Sequence, residues 1–352
     1  MNEAQVIRVD SHIKELERLG ISFAKKSTED ARKFLTTNTY YEKLRSYLGR
    51  TPKVGEFAGL DFEDLVELSK IDFSLSRQVL TLALSIEHAL KIQIWHLVES
   101  EEAGFLKKCL VRIDRQWEDR WKAKPYSSSK RKEAKKFSKQ RVQTSDYSRA
   151  YLDAPSKQHT ERPYVVNCEL WELLESFSFW ELIDLYDTAL QEGESKKGIP
   201  RHYLKRIQEL RNAAAHENCL LVRTSTTGDE PKDWEPVEDC DIDSDFPSCF
   251  HNTSVSHLAV EKKQEGLSRL FLHDFCILLH VHDRLVESSG MKGHALDELE
   301  KLRDRIARGK KRINNNQTSS CKLKSEINTT LSGVIDAINQ FIPPNQSEPN
   351  DC

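Results

Sequence analysis

Apolar residues recur at three- and four-residue steps along most of the chain, the period of an amphipathic helix. Val6, Ile7, His12, Ile13, Leu16 and Leu19 set the first stripe, and Gly20 ends it. Ser27 followed by Asp30 is a capping-box pattern ahead of Ala31, Phe34 and Leu35. A helix over residues 39–48 comes next, closed by Gly49. Asp61 is placed to cap a helix through Leu68. Residues 71–99 then carry the longest helix, with Leu75, Val79, Leu82, Ile86, Ala89 and Leu90 in a broad apolar stripe. A second helical block starts at Leu170 and runs on through Leu173, Leu174, Phe177, Leu182, Ile183 and Leu185. After a polar turn, Pro200 suits the first turn of a helix reaching about Leu221. Further helices are predicted over residues 255–286, 295–307 and 327–342. No segment shows the period of a strand. The fold class is all-α.

Composition supports that reading. Pro and Gly number 11 and 13 in 352 residues, sparse for a chain built on tight turns. No stretch approaches the ~18 apolar residues of a membrane helix, and no apolar signal core follows Met1. The eight cysteines are scattered without a C-x-x-C pair, as expected of reduced thiols in the cytoplasm. The net charge of −3 hides opposed blocks. Nine cations (Lys122, Lys124, Lys130, Arg131, Lys132, Lys135, Lys136, Lys139 and Arg141) face Glu133 alone. Nine acids between Asp229 and Asp245 face Lys232 alone, with Pro231 and Pro236 among them, which reads as a loop. Between Lys301 and Arg312 the chain is basic again, seven cations against Asp304, ending in Lys310, Lys311 and Arg312. The expected organisation is an N-terminal helical segment (1–60), a helical domain (61–309) and a polar tail (310–352) with one more helix. The domain carries a basic insert near 107–160 and an acidic loop near 224–250.

One short motif carries chemistry. Arg211-Asn212-Ala213-Ala214-Ala215-His216 lies late in the helix built on Tyr203, Leu204, Ile207 and Leu210. Asn212 and His216 are four apart and share a face, with Arg211 at its edge. A permanent cation, an amide and an imidazole suit metal-free phosphodiester transesterification. The imidazole takes a proton from a 2′-hydroxyl or gives one to the leaving oxygen. The guanidinium holds the phosphate. DNA lacks that internal nucleophile, so such a site selects RNA. With 23 Arg and 12 His in the chain, roughly 0.8 Arg-x4-His pairs arise by chance, and requiring Asn after Arg lowers this to roughly 0.03. A helix-end Arg and His serving only packing and solvation is the bland alternative.

Arg-Asn-x-x-x-His on a helix of an all-α protein resembles the signature of HEPN-superfamily ribonucleases. More narrowly, the chain resembles the Abi-like (AbiD/AbiF-type) abortive-infection family through several segments in order. These are the opening helix with Leu16 and Gly20, the paired-tyrosine segment around Tyr40 and Tyr41, the helix from Asp72 to Ile86-Glu87, and the stretch Glu175–Tyr186 before the motif. The sequence departs from the family after the motif, where Glu217-Asn218-Cys219 replaces the second His or aromatic tail that often follows. The resemblance implies a HEPN-type helical bundle and a ribonuclease of phage defence. HEPN sites form where two motifs face each other, and this chain has one copy. A homodimer with Arg211, Asn212 and His216 from both protomers is therefore expected, and a bound structured noncoding RNA is a further implied partner. Glu87 matches a family position from which a carboxylate orients Arg211 or His216. Its plain alternative is a boundary residue paired with Lys91.

The basic block mixes cations with Trp117, Trp121, Tyr126 and Phe137, a combination that suits RNA; a solvated charge run is the rival account. The acidic loop reads as solvated, with shielding of the cleft as the alternative. His273, Cys276, His280 and Asp283 line one helix face, but their apolar neighbours favour core packing, so no metal is expected. No cofactor and no phosphate-binding Gly-rich loop is expected. Rival functions are a non-catalytic RNA-binding module and a helical protein-interaction subunit.

Overall fold

The computed structural model describes residues 3–38, 41–49, 51–123, 170–193, 198–224, 266–267, 269–314 and 321–342. They form eleven helices. These are α1 (Glu3–Arg18), α2 (Thr28–Thr37), α3 (Tyr41–Ser46), α4 (Phe62–Glu99), α5 (Phe105–Ala123), α6 (Leu170–Ser176), α7 (Phe179–Glu192), α8 (Arg201–Ala215), α9 (Arg269–Leu285), α10 (Ser289–Asn314) and α11 (Lys322–Asn339). The all-α expectation holds. One small addition is a two-residue antiparallel ladder, β1 (Arg223–Thr224) with β2 (Gly266–Leu267).

Several boundaries differ from expectation for local reasons. The helices expected through Leu68 and from Ile71 are one helix, α4, of 38 residues. Ser69 and Lys70 contain no breaker, and the Ser69 hydroxyl donates back to Val66 O at 2.8 Å within the turn. The block from Leu170 divides instead at Phe177-Ser178. There Ser178 and Glu181 form a reciprocal capping box that starts a new helix. The helix from Pro200 stops at Ala215 rather than near Leu221. Its C-terminal carbonyls are taken by a tight turn described below.

By contact the chain divides into two units, Met1–Ala83 with Glu209–Cys352, and Leu84–Gln208. In the first, α1 buries Ile13 and Leu16, and α4 buries Leu65, Leu68, Ile71, Leu75, Val79 and Leu82. Helix α11 lies along α10 and α9 and buries Leu323, Ile327, Leu331 and Val334. Gly309 permits close approach of α10 to α4, since a Cβ there would stand 2.6 Å from Ile71 Cδ1. Acids at the start of α4 are buried but compensated. Asp64 meets Lys25 at 2.5 Å and Lys324 at 3.3 Å, and Glu67 meets Arg305 at 2.6 Å and Arg312 at 3.4 Å.

In the second unit, α5 and α7 pack together, with Lys108 2.7 Å from Glu192 and Arg112 bonded to both Glu192 and Gln191. Arg201, opening α8, pairs with Asp184 and Asp187 of α7. Ile86, Leu90, Ile94, Leu182, Ile183 and Leu185 supply buried apolar surface.

Candidate functional site

Helix α8 forms because Tyr203, Leu204, Ile207, Leu210 and Ala214 recur on one face and are buried. Its exit is a Schellman turn. Asn218 N donates to Ala213 O at 2.9 Å and Glu217 N to Ala214 O at 3.1 Å, while His216 N keeps the helical bond to Asn212 O at 3.0 Å. Glu217 takes the left-handed position, φ 54°, that glycine usually fills. His216 is thus the C-cap residue of α8 and is exposed. Arg211 and Asn212, half-buried on the last helical turn, are joined by a bond from the Arg211 guanidinium to Asn212 Oδ1 at 3.1 Å. The three motif residues therefore occupy one helix end, with the imidazole outermost.

The backbone leaving this end is anchored by side chains absent from the motif. Lys43 Nζ donates to Glu217 O at 3.3 Å, and the Cys219 thiol donates to Lys43 O at 3.4 Å. The amides of Leu220 and Leu221 both donate to Asp72 Oδ1 at 3.0 Å, and the Tyr47 hydroxyl donates to Asp72 Oδ2 at 3.2 Å. Asp72 is 0% exposed. Burial pushes its carboxyl up to about 6, against the opposing pull of these donors and of the Lys43 charge. Burial also raises the Tyr47 hydroxyl and the Cys219 thiol. Sequence reasoning assigned no role to Asp72 or Tyr47. A signal for Asp72 existed: it stands at an apolar position, four after Leu68 and three before Leu75, where a lone acid must find donors.

Glu87 is half-buried on α4 within the second unit, and Lys91 reaches Glu175 at 3.1 Å. Of the basic block, Lys122 lies in the last turn of α5, while Lys124, Lys130, Arg131, Lys132, Lys135, Lys136, Lys139 and Arg141 lie outside the described residues. So does the acidic loop. In the second basic block Lys310 donates to Ser332 Oγ, Arg312 extends to Glu67 and Lys311 is exposed. His273 and Asp274 bond to each other at 2.9 Å, Cys276 is buried, and Asp283 accepts from Lys292. Among the described residues no group of three or more His, Cys, Asp or Glu is placed to hold a metal ion. Nor, among them, is any helix long and apolar enough to cross a membrane.

A helical protein that displays a guanidinium, an amide and an imidazole on one anchored helix end is the class these features define. Residues 33–221, more than half of the chain, match the Abi-like protein family, and the protein belongs to that family. The matched stretch begins within α2 and ends on Leu221, so it takes in both the motif and the residues that anchor its exit. Membership implies a role in abortive-infection phage defence. No curated protein and no solved structure matches the chain.

Proposed function

We propose that the protein is a cytoplasmic, metal-independent endoribonuclease of the HEPN class, with Arg211, Asn212 and His216 as its catalytic groups. The observation that carries the reading is the exposed His216 imidazole at the end of the helix that also presents Arg211 and Asn212. In the proposed reaction one His216 takes the proton of a ribose 2′-hydroxyl, and that oxygen forms a bond to the adjacent phosphorus. The bond from phosphorus to the 5′-oxygen breaks, and the leaving oxygen receives a proton from the His216 of a second copy. The products are a 2′,3′-cyclic phosphate and a 5′-hydroxyl. Arg211 offsets the charge that grows on the phosphate, and Asn212, bonded to it, keeps the fork oriented. Two copies are needed because each chain has one motif. Glu87 enters as an orienting carboxylate, to be tested by Glu87→Gln. Lys311, with the cations of the 122–141 block, supplies phosphate contacts to substrate or to a structured noncoding RNA.

The test is cleavage of total and defined RNAs by purified protein in EDTA. His216→Ala is expected to lower the rate at least a hundredfold with melting temperature and oligomeric state unchanged. RNA carrying a 2′-deoxy sugar at the cut site is expected to resist. Undiminished cleavage by a well-folded His216→Ala protein ends the proposal, and stable RNA capture without cutting supports a binding module instead.

A further inference from the structure

A helix end is where backbone order is normally weakest, because the last carbonyls lack intrahelical donors and the final turn frays. His216 stands at such an end, yet the chain on its far side is held firmly. Leu220 and Leu221 are buried, and the acceptor for both of their amides is one oxygen of Asp72. A carboxylate so deep in the protein carries a desolvation cost that an apolar side chain at this position would avoid. Its three donors all belong to the backbone around the motif exit or to Tyr47, which directly follows α3. Between the Schellman bonds at Glu217 and Asn218 and the Asp72 bonds at Leu220 and Leu221 lies Cys219 alone, itself tied to Lys43. The segment after the imidazole therefore has little freedom to shift unless Asp72 releases it.

We propose that Asp72 is a positioning residue for His216: its buried carboxyl group grips the Leu220 and Leu221 amides and so sets where the imidazole stands, without touching RNA. This rests on the reading of His216 as the catalytic imidazole. Asp72 thereby extends the site to the middle of α4, with Tyr47 as the brace that keeps the carboxyl aimed at the two amides.

The test uses the full-length protein and two readouts that do not require cleavage, beside one that does. These are hydrogen exchange resolved over residues 216–222, the ring resonance of His216 (assigned by its loss in His216→Gln), and kcat with KM on a cleaved RNA. Asp72→Ala is expected to speed exchange over 216–222, to shift or broaden the His216 resonance, and to lower kcat roughly a hundredfold with KM within about twofold. Asp72→Asn retains an acceptor oxygen for both amides and an amide for Tyr47, so it is expected to behave like wild type in all three. Should Asp72→Ala not fold, Tyr47→Phe carries the test, with faster exchange at Leu220 and Leu221 and a moved His216 resonance expected. Unchanged exchange and an unchanged resonance in a folded Asp72→Ala or Tyr47→Phe protein overturn the proposal. So does an Asp72→Asn protein as defective as Asp72→Ala. If wild type cleaves no RNA, the nuclease reading fails by itself, and exchange and resonance still decide whether Asp72 positions the turn.

Discussion

Asp61 and Asp72 are eleven residues apart, both buried and both gripping backbone amides, yet their surroundings differ in kind. Asp61, 2% exposed, caps α4 by accepting from Glu63 N, and it also takes Ser22 Oγ, Ala24 N and Lys25 N. Burial pushes its carboxyl up, but those donors outweigh burial and leave it below the ordinary value. Its neighbour Asp64 meets two lysines. Asp72 lies deeper and has three donors against four, so burial dominates over them and over the Lys43 charge, holding it at about 6. The opening of α4 is thus a charge-compensated joint that serves the fold. The Asp72 region keeps an expensive carboxyl next to the motif turn, which is difficult to explain by stability alone. The lesson is that two carboxyls equally hidden from solvent need not serve the same purpose: depth of burial weighed against the number of donors decides whether an ionised acid strengthens or weakens the native state.

The contrast is broken most severely at Asp64. Asp64→Ala leaves Lys324 buried without its counter-charge and is expected to destabilise by about 4 kcal/mol, read by denaturant or thermal unfolding. A pH series on Asp72→Asn and Asp61→Asn sharpens it. The folded-state value of Asp72, about 6, lies above its ordinary 3.8, so the native state keeps this proton to higher pH than the unfolded chain does. Its contribution to stability is therefore full below 3.8 and lost as pH rises through about 6. That interval corresponds to about 3 kcal/mol. Asp72→Asn should stabilise the protein by up to this amount near neutral pH, with the gain vanishing in acid. Asp61 has the opposite sign, since its contribution is present above its ordinary value and lost as pH falls. Asp61→Asn should therefore destabilise at neutral pH, by about 1 kcal/mol. Equal pH profiles for the two variants would refute the distinction. The smallest effect is expected at the motif exit, where Glu217→Gly relieves a left-handed residue and should add about 1 kcal/mol with His216 undisturbed.

Much of the architecture was legible because it is local. The stripes of α1, α4 and α8, the Ser27 cap, the Asp61 cap and the Gly20 and Gly49 stops all act within a few residues. The motif was legible for the same reason, as three residue types on successive turns. Joining the two expected helices into α4 needed only the absence of a breaker, which a reading by apolar stripes undervalues. The early end of α8 was not legible. Residues 216–221 contain neither glycine nor proline, and the acceptor that draws Leu220 and Leu221 out of the helix lies about 150 residues earlier in the chain, on α4.

The order of residues by itself thus determined an all-α chain with Arg211, Asn212 and His216 on one helix end, since periodicity and capping act over a turn or two. Tertiary structure alone decided that His216 ends the helix instead of continuing it and that Asp72, Tyr47 and Lys43 anchor that end. Those contacts join segments that become neighbours only on folding, and around Asp72 burial makes each hydrogen bond a condition of stability.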